Sequence, residues 1–79
     1  MTIDDRGAVM LARFGVLIRT AHVAAVLEAD LRTGLRVLER FRREGRAAPV
    51  TEAEWAAIVL AVTVMEARLR RGRPESLAA

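Results

Sequence analysis

The sequence contains no cysteine, lysine, asparagine, glutamine or tyrosine, and it has only one histidine and one serine. Without cysteine the chain forms neither a disulfide nor a thiolate metal site. The lone serine, Ser76, lies near the end of the sequence, so one chain cannot build a nucleophilic triad around it. The single histidine, His22, does not make a metal site unaided. We therefore expect that the protein is not an enzyme and uses no cofactor and no metal ion.

Long uninterrupted apolar runs are also absent. The longest apolar stretch, from Ala8 to Leu27, contains Arg13, Arg19 and His22. Two arginines near the middle of a bilayer would cost several kcal/mol. The first residues, 2–5, are acidic in character, unlike the basic start of an export signal. The sequence thus predicts a cytoplasmic protein that does not cross a membrane.

Helical spacing dominates what is present. Residues 7–45 contain no proline, and their apolar positions recur at steps of three and four, as in a helix packed on another helix. An interior glycine such as Gly34 costs about 1 kcal/mol relative to alanine, so a break near 20–22 or 33–34 is the alternative to one continuous helix. The periodic positions are Met10, Phe14, Leu17, Ala21, Ala24, Leu27, Leu31, Leu35 and Leu38.

The clearest local signal lies at residues 51–54. Thr51 as the N-cap and Glu54 at the third helical position form a capping box, which predicts a helix over 52–71. A short loop around Pro49 makes the two helical regions neighbours in an antiparallel hairpin. We therefore predict an all-α fold. Its parts are a lead-in over 1–6, a single helical domain over 7–72 and a flexible tail over 73–79.

Both helical regions carry apolar residues on two sides. A helix that is apolar on both sides is buried on both sides, and a lone hairpin covers only one of them. A chain shorter than about 80 residues also has a small core. We therefore expect self-association into a multi-helix bundle, a dimer or larger, with a compact three-helix monomer as the alternative. The residues predicted to contact another copy or a partner protein are Val9, Val16, Val23, Leu27, Trp55, Leu60 and Val64.

Glu66 interrupts the apolar face of the last predicted helix, where an apolar residue is expected. An arginine of the first region, such as Arg13, is its natural partner, and we predict a buried polar pair that fixes the register of the bundle. Catalysis by Glu66 together with His22 is a distant alternative.

An arginine stripe follows the second half of the first region and gives the alternative function, binding of nucleic acid through phosphates. The chain contains thirteen arginines and ten acidic residues, and the resulting net charge of +3 is a weak signal for nucleic-acid binding. Glu28 and Glu39 stand four residues before arginines, which is typical of a solvated face. The stripe offers no side chain that reads base edges. Its candidate contacts are Arg32, Arg36, Arg40, Arg43 and Arg46, of which Arg36 and Arg40 lack a carboxylate four residues before them.

The sequence therefore favours a small helical protein-interaction module, which would be an adaptor, a regulatory protein or an accessory subunit. Such a protein would act as a homo-oligomer and would also bind another protein. Its partner and its pathway do not follow from these residues.

Overall fold

The computed structural model describes residues 2–72 and is all-helical over that range. The predicted tail over 73–79 lies outside the described residues. Three α-helices and two short 3₁₀ turns follow one another along the chain. They are α1 (Asp5–Leu17), a first 3₁₀ turn (Ala21–Ala25), α2 (Glu28–Glu44), a second 3₁₀ turn (Gly45–Ala47) and α3 (Glu52–Arg71).

The first helical region is two helices, which decides between the two alternatives that the sequence leaves open. After Leu17 the side chain of Thr20 donates a hydrogen bond to the Leu17 carbonyl at 2.7 Å and accepts one from the His22 backbone N–H at 3.3 Å. Thr20 thereby ends α1 and caps the 3₁₀ turn that follows. The break falls at the first of the two predicted positions. At the second, α2 passes through Gly34 without interruption.

Local capping explains where the helices begin and end. The Asp4 carboxylate accepts the Gly7 backbone N–H at 2.8 Å and begins α1. Gly45, with a φ of 65°, ends α2 in a conformation that favours glycine. The predicted capping box is confirmed, because Glu54 N–H donates to Thr51 Oγ1 at 3.1 Å and Thr51 N–H donates to Glu54 Oε1 at 3.0 Å.

The helices alternate in direction. A Cβ built on Gly7 would lie 3.5 Å from the Trp55 ring, and further along the same two helices Arg13 contacts Glu66. These contacts place α1 parallel to α3. The chain turns by 119° between Glu28–Ala47 and Glu52–Arg71, so α2 runs back across α3. Both α1 and α2 make their main helix contacts with α3.

One apolar core lies between the three helices, and Phe14 is fully buried near its centre. Gly34 makes room for this ring, because a Cβ there would lie 2.4 Å from Phe14 Cζ. The chain therefore covers one side of each helix by itself, as in the three-helix alternative. The buried apolar residues are Ile3, Leu11, Phe14, Leu17, Val37, Leu38, Ala48, Val50, Ile58, Ala61, Val62 and Met65.

Candidate interaction surfaces

The outer face of α3 consists of Ala53, Ala56, Leu60, Thr63 and Ala67. None of these residues is charged, and Leu60 at the middle of the face is 50% exposed. The Thr63 hydroxyl donates to the Val59 carbonyl at 2.7 Å, so it does not need water as an acceptor. The face is about 21 Å long at the rise of an α-helix. A solvated helix normally carries charged residues on its outer face, and an uncharged face of this length is typical of a helix–helix contact.

The outer face of α1 carries a short apolar row beside the charged side chain of Arg13. Val9, Ala12 and Val16 follow one another at helical spacing, and Val16 is 66% exposed. Leu27, immediately before α2, is exposed as well. Isolated exposed apolar side chains need no special explanation, but a row of them on one helix face indicates a contact surface.

The seven residues predicted at an interface fall into two groups. Val9, Val16, Leu27 and Leu60 are exposed. The other three residues are half-buried, namely Val23, Trp55 and Val64. Of these, Val23 and Trp55 pack against the core of the same chain.

A groove lies between α1 and α2, and no residue of α3 lines it. We call it the α1–α2 groove. Its apolar lining includes Leu11, Gly15, Leu38 and Phe41, its volume is about 610 Å³, and the guanidinium groups of Arg19 and Arg42 border it. The sequence contains a signal for this groove, namely Gly15 in the last turn of α1, which leaves this part of the groove wall without a side chain.

The predicted pair of Arg13 and Glu66 forms, but it is not buried. Arg13 Nη1 lies 3.2 Å from Glu66 Oε2, with 50% and 29% of the two side chains exposed. The pair lies along a shallow groove between α1 and α3, where Val16 and Leu69 also reach the surface. Water therefore reaches both charges, and the pair cannot have the effect of a buried register-fixing contact.

Replacing Glu66 with leucine is expected to change the free energy of unfolding by less than about 1 kcal/mol, because partly exposed ion pairs contribute little. Chemical denaturation of the variant beside the native protein measures this change. A loss above about 3 kcal/mol would instead show that the pair behaves as a buried one.

Arg40, a leading candidate for an external anion, is bound within the chain. Its Nη1 donates to the Pro49 carbonyl at 2.8 Å and to Glu54 Oε1 at 3.0 Å, and its Nη2 donates to Glu54 Oε2 at 2.6 Å. These bonds fasten α2 to the first turn of α3. The hydrogen bonds from Arg40, followed by the Thr51 backbone N–H, lower the pKa of Glu54 to about 2, and the same contact raises the pKa of Arg40.

Three other residues of the predicted arginine stripe also contact their own chain. Arg32 pairs with Glu28 at 2.5 Å, Arg36 Nη2 donates to Thr33 Oγ1 at 3.3 Å, and Arg46 pairs with Asp5. Arg43 forms no ion pair within residues 2–72, so the expected pairing with Glu39 is absent there. The stripe is therefore largely engaged in intramolecular bonds.

No metal-binding cluster is found in the part of the chain that the structure describes. Among residues 2–72, no group of three histidine, aspartate or glutamate side chains is placed to hold a metal ion. His22 is half-buried in the first 3₁₀ turn, and within residues 2–72 it forms no ion pair with Glu66.

Comparison of the chain with protein-family models, with curated proteins and with solved structures finds no match. In the described range no single helix is long and apolar enough to cross a membrane. Glu28–Ala47 and Glu52–Arg71 meet that criterion only when taken together across their bend. The surfaces themselves are thus the basis for a functional proposal.

Proposed function

We propose that the protein is a small helical protein-interaction module, an adaptor, regulatory or accessory subunit, that acts as a homo-oligomer. The outer face of α3 is the observation that carries this proposal. It is exposed from Ala53 to Thr63 and uncharged from Ala53 to Ala67, and its one hydroxyl donates a hydrogen bond inside the helix. Covering such a face with another apolar surface is favourable by about 25 cal/mol per Å² of apolar surface removed from water.

The spacing on this face suits a second copy. Leu60 lies midway between Ala53 and Ala67, so two antiparallel α3 helices related by a twofold axis through Leu60 place each alanine opposite its counterpart. In the same register Ala56 faces Val64 of the other copy. An isologous interface requires this self-complementarity, and small residues at the ends of the face permit close approach of the two helices.

Replacing Leu60 with glutamate tests the proposal. The native protein is expected to be a dimer or larger in light scattering at micromolar concentration, and the variant is expected to be a monomer because two carboxylates would face each other at the centre of the contact. The dissociation constant should rise at least about 100-fold. The fold should survive, since Leu60 is not part of the core.

Leu35→Glu provides the matched control, because Leu35 is an exposed leucine on α2 with the charged side chains of Arg32, Arg36 and Glu39 around it. This variant should have the same oligomeric state in light scattering as the native protein. A native protein that is monomeric at about 100 μM, or a Leu35→Glu variant that dissociates as readily as Leu60→Glu, would contradict the proposal.

We do not propose nucleic-acid binding, because the arginine stripe that suggested it is mostly paired within the chain. Arg40 and Arg46 bind Glu54 and Asp5, respectively. A duplex titration across salt concentrations checks this choice, since phosphate contacts would make the affinity fall steeply with added salt.

A further inference from the structure

The α1–α2 groove offers a packing site between two helices. The C-terminal end of α2 lies close to the N-terminal end of α1, where Arg46 pairs with Asp5. Further along α1, Phe14 faces Gly34 in the earlier part of α2, so the two helices run in opposite directions. With α3 packed on one side of them, the groove lies open on the other. Two antiparallel helices with an apolar groove between them accept a third apolar helix face by packing ridges into grooves.

The charge at the border of the groove is of one sign. Arg19 and Arg42 are both exposed, neither forms an ion pair within residues 2–72, and no carboxylate lines the groove. An occupant with carboxylates beside its apolar face would complement these two guanidinium groups. A second copy of this chain brings its own net charge of +3 and is a poorer match than an acidic protein.

Gly15 is a second, independent observation on the same groove. A Cβ at Gly15 would meet only Leu38 Cδ2, at 3.6 Å, which is an ordinary van der Waals contact. The fold therefore does not require glycine there, in contrast to Gly34. Gly15 lies within the last turn of α1, and glycine inside a helix weakens the helix relative to alanine. The absence of a side chain at Gly15 makes the groove deeper at this position.

We infer that the α1–α2 groove binds an amphipathic α-helix of a partner protein, with the apolar face of that helix on Val16 and Phe41 and its carboxylates beside Arg19 and Arg42. This inference rests on the proposed function as an interaction module and names the class of partner. The partner helix would present apolar residues at i, i+3 or i+4, and i+7, with glutamate or aspartate flanking them.

Fluorescence anisotropy of a labelled synthetic peptide tests the inference with the full chain. The probe is a helical peptide of about 18 residues with leucines on one face and glutamates beside them, and the comparison peptide carries lysines in place of the glutamates. The glutamate peptide should bind at least about tenfold more tightly than the lysine peptide. Arg42→Glu should abolish this preference, because Arg19 is then opposed by a carboxylate in the same groove, whereas Arg36→Glu, a matched change on the outer face of α2, should preserve it.

A variant that fills the groove separates binding from folding. Gly15→Ala is expected to keep or raise the midpoint of thermal unfolding, and Gly15→Leu is expected to lower peptide affinity at least about tenfold while the helical circular dichroism spectrum is retained. Because Leu60 lies on α3, Leu60→Glu should bind the peptide as the native protein does. Failure of self-association and failure of groove binding are therefore measured separately.

Three results would overturn the inference. One is equal binding of the two peptides, or binding of neither at about 100 μM. Another is loss of self-association in Arg42→Glu, which would show that a second copy occupies the groove. The last is a rise in peptide affinity of more than about tenfold on Leu77→Glu, which would show that the chain's own C-terminal segment occupies it.

Discussion

Replacing Gly34 with alanine is expected to lower the free energy of unfolding by about 2–3 kcal/mol, as overpacking of a filled core does. The added Cβ would lie 2.4 Å from Phe14 Cζ and within 3.0 Å of two further ring atoms. The ring has no room to withdraw, because Phe14 is fully buried. For a domain of this size the midpoint of thermal unfolding should fall by about 10 °C or more, which circular dichroism measures directly.

Two variants show whether the ring is the cause. Gly15→Ala makes the same change in α1 without a clash and should stabilise the protein by up to about 1 kcal/mol. Phe14→Leu in the Gly34→Ala background should recover part of the loss, so that the double variant is more stable than the sum of the single effects predicts. Strictly additive effects would show that Phe14 and Gly34 do not interact in this way.

Replacing Glu54 with glutamine is expected to lower the midpoint of thermal unfolding at pH 7 by about 5 °C or more. The change removes the charge that receives two hydrogen bonds from Arg40 and one from the Thr51 backbone. Glutamine still satisfies the capping box, since it can serve at the third helical position. The loss therefore reports the fastening of α2 to α3 rather than the start of α3.

The same variant has a characteristic pH dependence. Contacts with Arg40 lower the pKa of Glu54 from 4.5 to about 2. The carboxylate therefore stabilises the fold fully above its ordinary pKa, and this contribution is lost as the pH falls towards about 2. The difference in midpoint between the native protein and Glu54→Gln should narrow over that range.

Glu52→Gln is the control, because Glu52 lies in the same turn and forms no ion pair with residues 2–72. Its midpoint should follow that of the native protein at every pH. A difference for Glu54→Gln that stays constant from neutral pH to acid would show that the charge of Glu54 does not stabilise the fold.

The capping box in the sequence located the start of α3 correctly. The capping box at Thr51 and Glu54 acts through bonds between residues three positions apart, and the cap at Asp4 and the glycine at position 45 also act through bonds to residues at most four positions away. Such bonds form in the same way whatever the rest of the chain does, so the sequence alone is enough to predict them.

Long-range pairing decided the interpretation of the arginines. Arg40 and Glu54 are 14 residues apart, and only the return of α3 across α2 brings the two side chains together. Nothing in the spacing of the arginines themselves could reveal this pairing.

By itself, the sequence determined the helical class, the bounds of α3 and the excess of apolar surface, because these depend on composition and on contacts within a turn or two. Only the tertiary structure decided which apolar residues are covered. Packing Phe14 against Gly34 folds α2 back on α1, encloses Val23 and Trp55 beside the core, and leaves Val16 and Leu60 outside. Which apolar side of each helix is buried depends on the packing of the whole chain, because each helix has two apolar sides and the fold buries only one of them.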